Sequence, residues 1–543
     1  MLWEAKSNMK ITRRDLFRIA LAGSVLPAGS GLAAALEKPS RPMQKPQLAG
    51  AGSVVLTLLH TNDPHGRIYL PGQAQGLTRL ATLVRRVRAE MPNVLLLDAG
   101  DLIHGTPEEK AFEGKPMIGA MNALQYDAAT AGNHEFDFGQ RITRQAIEMA
   151  RFPLLSANVL DEKTGLPWGG LKPYIIKEVQ GFRIAIFGLT TPDTVKIQFP
   201  RTLQGIRFAD PIETARALVP KLRQRADVVI FLSHLGYNPD RALAEAVGGI
   251  DIILGGHSHT RLAEQVWVGE TLIMQTGAHG KALGRADVLI ERENNGRARL
   301  SINGRAGKWW GKDGVAAPLG KTYPVAPLID ATTDLEHDAA ILACYAPFRD
   351  EIRRRDAEVL TTANVPFPAE GAKERQTALG TLLADAVRQK FKVDVALVPS
   401  GAIAQGLPVG EIRVEDAMNT IGGYTRQHVV TARVAGQQLR LLHERAASKP
   451  REMQVSGLVE SGGALLVNGQ PLRDEAQYTV AGAAYLIQDS LLGRQGVVIL
   501  GDNPEAPTTR EALVELLRGH APLTAQMNKS EQSLSLRKLV AWL

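Results

Sequence analysis

Five short strings of chemistry-bearing residues occur along this chain: His60-Thr61-Asn62-Asp63-Pro64-His65-Gly66, Asp98-Ala99-Gly100-Asp101, Gly132-Asn133-His134-Glu135-Phe136-Asp137, Ser233-His234-Leu235-Gly236 and Gly255-Gly256-His257-Ser258-His259. Asp63 and His65 are two apart, so in an extended segment they point to the same side and both can reach one ion, and His257 and His259 are again two apart. Asp101 follows a glycine that permits a tight bend, and a carboxylate there can give one oxygen to each of two cations. Imidazole nitrogen together with carboxylate oxygen suits divalent ions such as zinc, manganese, iron or nickel. Two such ions roughly 3.5–4 Å apart clamp a phosphoryl group and lower the pKa of a bound water toward neutrality. The strings supply Asp63, His65, Asp101, Asn133, His234, His257 and His259 as candidate ligands, with His134 left over. One such string alone is weak. Five, each near the end of an apolar run, are hard to assign to chance.

Ligands of this kind need rigid supports. Apolar, often β-branched runs occupy Val54–Leu59, Val94–Leu97, Ala128–Ala131, Ile184–Phe187, Val228–Leu232 and Ile250–Leu254. Between them lie segments with helical apolar spacing, such as Leu77–Ala89 and Pro211–Gln224. This alternation predicts a layered α/β domain whose sheet is parallel or mixed. Around Ala326–Leu360 the pattern turns long, charged and helix-favouring, which predicts a connector helix. After it a smaller α/β region follows, with a helix expected over Thr377–Lys390 and strands over Val393–Val398, His428–Ala435 and Tyr478–Ala481. The expected division is therefore a signal peptide over 1–35, a flexible lead-in over 36–52, a catalytic domain over 53–325, a connector helix over 326–360 and a C-terminal substrate-binding domain over 361–543.

Composition agrees with such a plan. A length of 543 residues is too great for one ordinary domain. The formal net charge of +7 is carried partly by Lys6, Lys10, Arg13, Arg14 and Arg18. No basic block with interleaved aromatics appears, so nucleic acid is not an expected partner. The one cysteine, Cys344, excludes an internal disulfide and a cysteine-based metal site. Arg13-Arg14 precedes a short apolar stretch, Ile19 to Leu26, and then Ala33-Ala34-Ala35. That pattern reads as a twin-arginine export signal, so the expected location is periplasmic or extracellular, with the twin-arginine machinery as a partner. The apolar run is too short to span a bilayer. No cysteine follows it directly to carry a lipid, so no stable membrane anchor is expected.

The set of strings resembles the calcineurin-like metallophosphoesterases, and Gly132-Asn133-His134-Glu135-Phe136-Asp137 looks like their 5′-nucleotidase branch. The resemblance implies a layered α/β sandwich plus a smaller C-terminal 5′-nucleotidase-like domain. It implies one ion on Asp63, His65 and His259, a second on Asn133, His234 and His257, and Asp101 as the bridge. It also implies a catalytic dyad in which His134 stabilises or protonates the leaving oxygen and Asp137 orients it, a role that suits a donor beside a ligand. The implied cofactors are two divalent ions such as Zn, Mn or Co. The implied substrate is a small phosphoester, a nucleoside 5′-monophosphate or related nucleotide.

In the C-terminal region the chain departs from the family pattern. Ala404 stands where an arginine is expected near Ser400-Gly401-Ala402-Ile403, and Ala378 stands where an asparagine is usual. Lys373, with Arg375 close by, takes the place of another arginine, and lysine does not reproduce a bidentate phosphate contact. Tyr424 and Tyr485 fall near the places of the family's two base-stacking aromatics. Lys373, Arg375, Tyr424 and Tyr485 are thus the expected substrate contacts. The remaining candidates read more plainly: His60 as a buried hydrogen-bonding residue, His104 as a candidate substrate contact where the family often has glutamine, His279 as a turn residue, and Trp309-Trp310 as packing. Two rivals stand beside the phosphatase reading. A sulfate thiohydrolase shares the architecture, but the dyad string and the short loop after His65 favour a phosphatase. A non-catalytic binding protein would have lost ligands, and none is lost here.

Overall fold

Successive side chains of the strand Ser53–Thr61 face two different cores. Val55 and Leu59 pack among Leu77, Leu80 and Val84 of the helix Leu77–Glu90. Leu56 and Leu58 face the other way and pack with Ile186, Ile230, Leu232 and Ile252 of a second sheet. This period-two alternation, buried on both faces, is what a central strand of a sandwich requires. The far face of the second sheet buries Phe187, Phe231 and Ile253 against Val219 and Leu222 of the helix Pro211–Arg223 and Leu243 of the helix Tyr237–Ala246. The layers therefore run helix, sheet, sheet, helix.

This computed structural model describes residues 52–198, 200–292, 298–302, 328–422, 428–447, 452–484, 486–487, 497–501, 503 and 506–524. The chain divides into two compact units, Met1–Arg349 and Asp350–Leu543. In the first unit one sheet has seven strands. Ala298–Ile302, Ala282–Arg292, Ser53–Thr61, Val94–Asp98, Ala128–Thr130 and Leu154–Leu155 lie in that order, and Leu328–Asp330 also pairs with Ala282–Arg292. The second sheet runs Val266–Val268, Thr271–Met274, Ile252–Gly255, Val228–His234, Phe182–Thr190, Tyr174–Val179. Both sheets are parallel at their centres, with antiparallel strands toward the edges. The second unit has a five-stranded sheet, against which the helix Ala378–Phe391 packs Leu379, Leu383 and Val387. No helix among the described residues is long and apolar enough to cross a membrane.

Two expectations need correcting. The stretch 326–360 is not one helix. Leu328–Asp330 is a strand paired with Ala282–Gly284, and the helix covers only Ala339–Asp356. Residues 326 and 327 lie outside the described residues, as do the signal sequence, Trp309-Trp310, Tyr424 and Tyr485. His60 is fully buried, as expected, but neither ring nitrogen has a hydrogen-bond partner among the described residues. Burial holds its pKa down at about 3, so the ring is neutral and packs as an apolar plate. The plate lies over Gly284, its partner on the neighbouring strand, where a Cβ would come within 1.9 Å of Nε2. Gly284→Ala should therefore overpack the sandwich and cost about 1–3 kcal/mol. Calorimetry should show a lower Tm, and an unchanged Tm would mean that the ring moves aside freely.

Candidate metal centre

The five strings sit at the C-terminal ends of parallel strands in the first unit and in the loops that follow. Thr61 and Asp98 are register partners in the first sheet, and Ser233 and Gly255 are partners in the second. The loops continue the pairing beyond the strands: Asp63 N–H donates to the Gly100 carbonyl at 3.0 Å, and His65 N–H to the Asp101 carbonyl at 3.0 Å. A cross-link between the sheets follows, because His257 N–H donates to Asp63 Oδ1 at 3.0 Å.

All seven candidate ligands converge. Asp63, His65, Asp101 and His259 form one group able to hold a metal ion, and Asp101, His234 and His257 form another. Asp101 belongs to both. Its Oδ2 lies 3.8 Å from His65 Nε2 and its Oδ1 lies 3.2 Å from His234 Nε2. His65 Nε2 is 3.0 Å from His259 Nε2, and His259 Nε2 is 3.3 Å from Asp63 Oδ1. In the second group Asn133 Oδ1 lies 3.2 Å from His234 Nε2 and 2.9 Å from His257 Nδ1. This donor set, imidazole nitrogen with carboxylate and amide oxygen, fits divalent transition ions.

The local backbone is strained into place. Asp63, His65, Asp101, His257 and His259 all take positive φ between 47° and 71°, a region that non-glycine residues seldom occupy. Left-handed residues at ligand positions are the kind of strain that functional sites retain. Close approach also demands glycine at Gly132, where a Cβ would fall 2.2 Å from Asp101 Oδ1.

Electrostatics make the centre receptive to cations. Burial opposes charge on Asp101, but the imidazoles of His234, His134 and His65 outweigh it and hold the carboxyl well below the usual range. Burial, helped by the neighbouring imidazoles, keeps His65 well below its ordinary value, so the ring keeps a lone pair. For His234 burial likewise disfavours charge, yet Asp101 and Asp63 raise it to about 10. The same negative field would hold a metal ion in place of that proton.

His134 and Asp137 form the expected pair, with His134 Nδ1 2.7 Å from Asp137 Oδ2. Burial lowers the His134 pKa, but Asp101 and Asp137 overcome it and bring the value to about 9. His104 is not turned outward alone; its Nε2 lies 3.1 Å from the same Asp137 oxygen. His279 is closer to the centre than a turn residue needs to be. Its ring centroid is 5.6 Å from those of His65 and His259, and its N–H donates to the Asp63 carbonyl at 2.8 Å.

Glu135 lies inside the third string, yet the sequence reading gives it no role. Its buried carboxylate accepts from the backbone N–H of Asp101 at 3.0 Å, of Leu102 at 2.6 Å and of Gly132 at 2.5 Å. It thus ties the Asp101 loop to the Asn133 loop. Burial first, then the Asp101 charge, raises its pKa to about 7, against the pull of those N–H donors.

In the second unit Lys373 and Arg375 are exposed on one turn ahead of the helix Ala378–Phe391. The buried Gln454 side chain fixes that turn, donating to the Ala372 carbonyl at 2.7 Å, the Arg375 carbonyl at 3.0 Å and Ser400 Oγ at 3.1 Å. Ala404, standing where an arginine is expected, is also exposed.

Comparison with known proteins agrees with this geometry. Residues 56–261 match the calcineurin-like phosphoesterase family, and residues 358–491 match the 5′-nucleotidase C-terminal domain. The chain is 31% identical to a 5′-nucleotidase of Vibrio cholerae over 404 residues, covering 67% of this chain and 70% of that protein. Among solved structures it is similar to a 5′-nucleotidase precursor from Thermus thermophilus, with 26% identity, a TM-score of 0.56 and coverage of 87% and 99% of the two chains. A sulfate thiohydrolase from the same organism shares the fold at 20% identity and a TM-score of 0.53, with coverage of 88% and 96%.

The Glu135 bridge yields a measurable consequence. Glu135→Gln keeps the shape but replaces one accepting oxygen by a donor that faces backbone N–H groups. Metal affinity should fall by about 10–100-fold, the usual effect of removing an outer partner of a metal site. Titration of the metal-free variant with zinc or manganese measures this, and wild-type affinity would remove Glu135 from the support of the centre.

Proposed function

Because this chain belongs to the 5′-nucleotidase family of calcineurin-like phosphoesterases and hydrolyses phosphate esters, we propose that its substrates are nucleoside 5′-monophosphates or related nucleotides and that it works with two divalent metal ions. The observation that carries the reading is Asp101, whose two oxygens face two separate groups of ligating side chains. One ion would be held by Asp63, His65 and His259, the other by Asn133, His234 and His257, with Asp101 shared. Bound there, zinc, manganese or cobalt ions supply Lewis acidity toward the phosphoryl oxygens and activation of water.

The chain's own residues do the rest. Asp63 and Asp101 bring negative charge to the ligand cluster. His134 delivers a proton to the leaving oxygen, and Asp137 accepts from its Nδ1 and so leaves Nε2 for that task. Glu135 holds the two loops that carry Asp101 and Asn133 at fixed separation. The nucleotide reading assigns Lys373, Arg375, Tyr424 and Tyr485 to substrate contact. The Arg13-Arg14 segment goes with export through the twin-arginine route, to the periplasm or beyond.

Chelation should abolish hydrolysis, and added Mn, Co or Zn should restore it; a rigorously metal-free preparation that keeps full activity would sink the two-metal reading. A panel of nucleotides, nucleotide sugars, cyclic nucleotides and thiosulfate adducts names the substrate, and turnover of the thiosulfate adducts alone would favour the thiohydrolase. His134→Ala should retain both metals yet lose about 10²–10⁴ in rate on a nucleotide. Loss of metal from that variant would make His134 a ligand instead.

A further inference from the structure

Asp137 serves more than one imidazole. Its Oδ2 lies 2.7 Å from His134 Nδ1 and 3.1 Å from His104 Nε2, and Oδ1 accepts from the amide of Gln198. The two rings are stacked, with centroids 4.7 Å apart and planes within 6°. His104 is only 9% exposed, and Phe138 packs against it with centroids 5.8 Å apart. Its loop is docked firmly, because a Cβ on the following residue, Gly105, would fall 2.7 Å from the His65 carbonyl and 2.9 Å from His65 Cβ.

We propose that His104 is a positioning residue for proton delivery by His134. A single hydrogen bond from Nδ1 fixes one atom of the His134 ring and leaves the ring free to swing about that bond. The parallel His104 ring blocks the swing on one side. Its Nε2, 3.1 Å from the shared oxygen, crowds the Asp137 carboxylate on that side and keeps it from turning about its own axis. Both restraints act on where His134 Nε2 points, and a general acid depends steeply on such aim. In this role His104 acts through the His134 ring and the Asp137 carboxylate. The inference rests on the reading that His134 protonates the leaving oxygen.

The test separates the two. An acid that protonates the leaving oxygen matters for a nucleoside alkoxide and little for 4-nitrophenolate, which leaves unaided. Wild type, His134→Ala, His104→Ala, His104→Gln and His104→Phe are assayed as the metal-loaded full chain on a nucleoside 5′-monophosphate and on 4-nitrophenyl phosphate, with metal content and Tm measured for each. His104→Ala should lower kcat on the nucleotide by about 10–100-fold, change the aryl substrate by less than about threefold, and keep its metals. His104→Phe retains a flat ring to stack on His134 and should recover most of the loss; His104→Gln retains a polar group beside Asp137 without the ring and should not. Should the alanine variant fail to fold, the Gln and Phe variants carry the comparison. Equal slowing of both substrates, loss of metal, or no change on either substrate would overturn the proposal while His134→Ala still discriminates between them. If His134→Ala slows both substrates alike, the dyad reading itself falls, and the role of His104 falls with it.

Discussion

Asp101 directs its two buried oxygens into two different groups of imidazoles, and most of the site can be understood as what that arrangement demands. A carboxylate out of water is unfavourable unless it is paired and hydrogen-bonded. Here the compensation comes from His234 on one side, His65 on the other and the His134 backbone N–H at 2.9 Å. Its surroundings hold it ionised. A negatively charged group buried among imidazoles that take up protons in its field is a place where divalent cations can replace those protons.

Holding that group costs backbone strain, which the neighbouring loops absorb. Ligands in left-handed conformations on three separate loops would relax if each loop stood alone. They do not stand alone. The 61–66 loop is hydrogen-bonded along the 98–102 loop, His257 N–H is anchored on Asp63, and Glu135 joins the 101–103 and 132 backbones through one carboxylate. A carboxylate that accepts from two loops fixes their distance more tightly than packing does. Gly132 then completes the arrangement, since any side chain there would occupy the place of Asp101 Oδ1.

The ligand set is legible in the sequence because each ligand lies in a contiguous string at the end of an apolar run, and such runs become the buried central strands. The two-residue spacings read as extended, yet four of those residues, Asp63, His65, His257 and His259, adopt positive φ instead. The loops, not the extended geometry, bring Asp63 and His65 into one group, and they divide His259 and His257 between two groups. What stays illegible depends on distant partners. Glu135 accepts from backbone groups of residues 101–103, and His104 stacks on His134, thirty residues along the chain. His60 packs on a glycine of a neighbouring strand that its own sequence context does not reveal. The strand Ala282–Arg292 is not foreseen because it opens on Ala-Leu-Gly-Arg, a segment without strand-like alternation, whose pairing is set by the buried neighbour Ser53–Thr61.

On the proposed reading, the His134–Asp137 pair would suit a phosphate monoester of an alcohol better than a thiol-releasing substrate. A thiol of ordinary acidity, with a pKa near about 8.5, leaves as a thiolate with modest need of a proton. A nucleoside hydroxyl is far less acidic, and its departure as an alkoxide is correspondingly harder unless a donor acts in the transition state. Investing three side chains, the partly buried His134 and Asp137 and the buried His104, in the aim of one imidazole nitrogen makes chemical sense for the second case. The altered cations of the second unit, Lys373 in place of an arginine and Ala404 in place of another, would on that reading concern which phosphate ester is held. They leave the demand for a proton at the leaving oxygen untouched, because the groups that meet it all belong to the first unit.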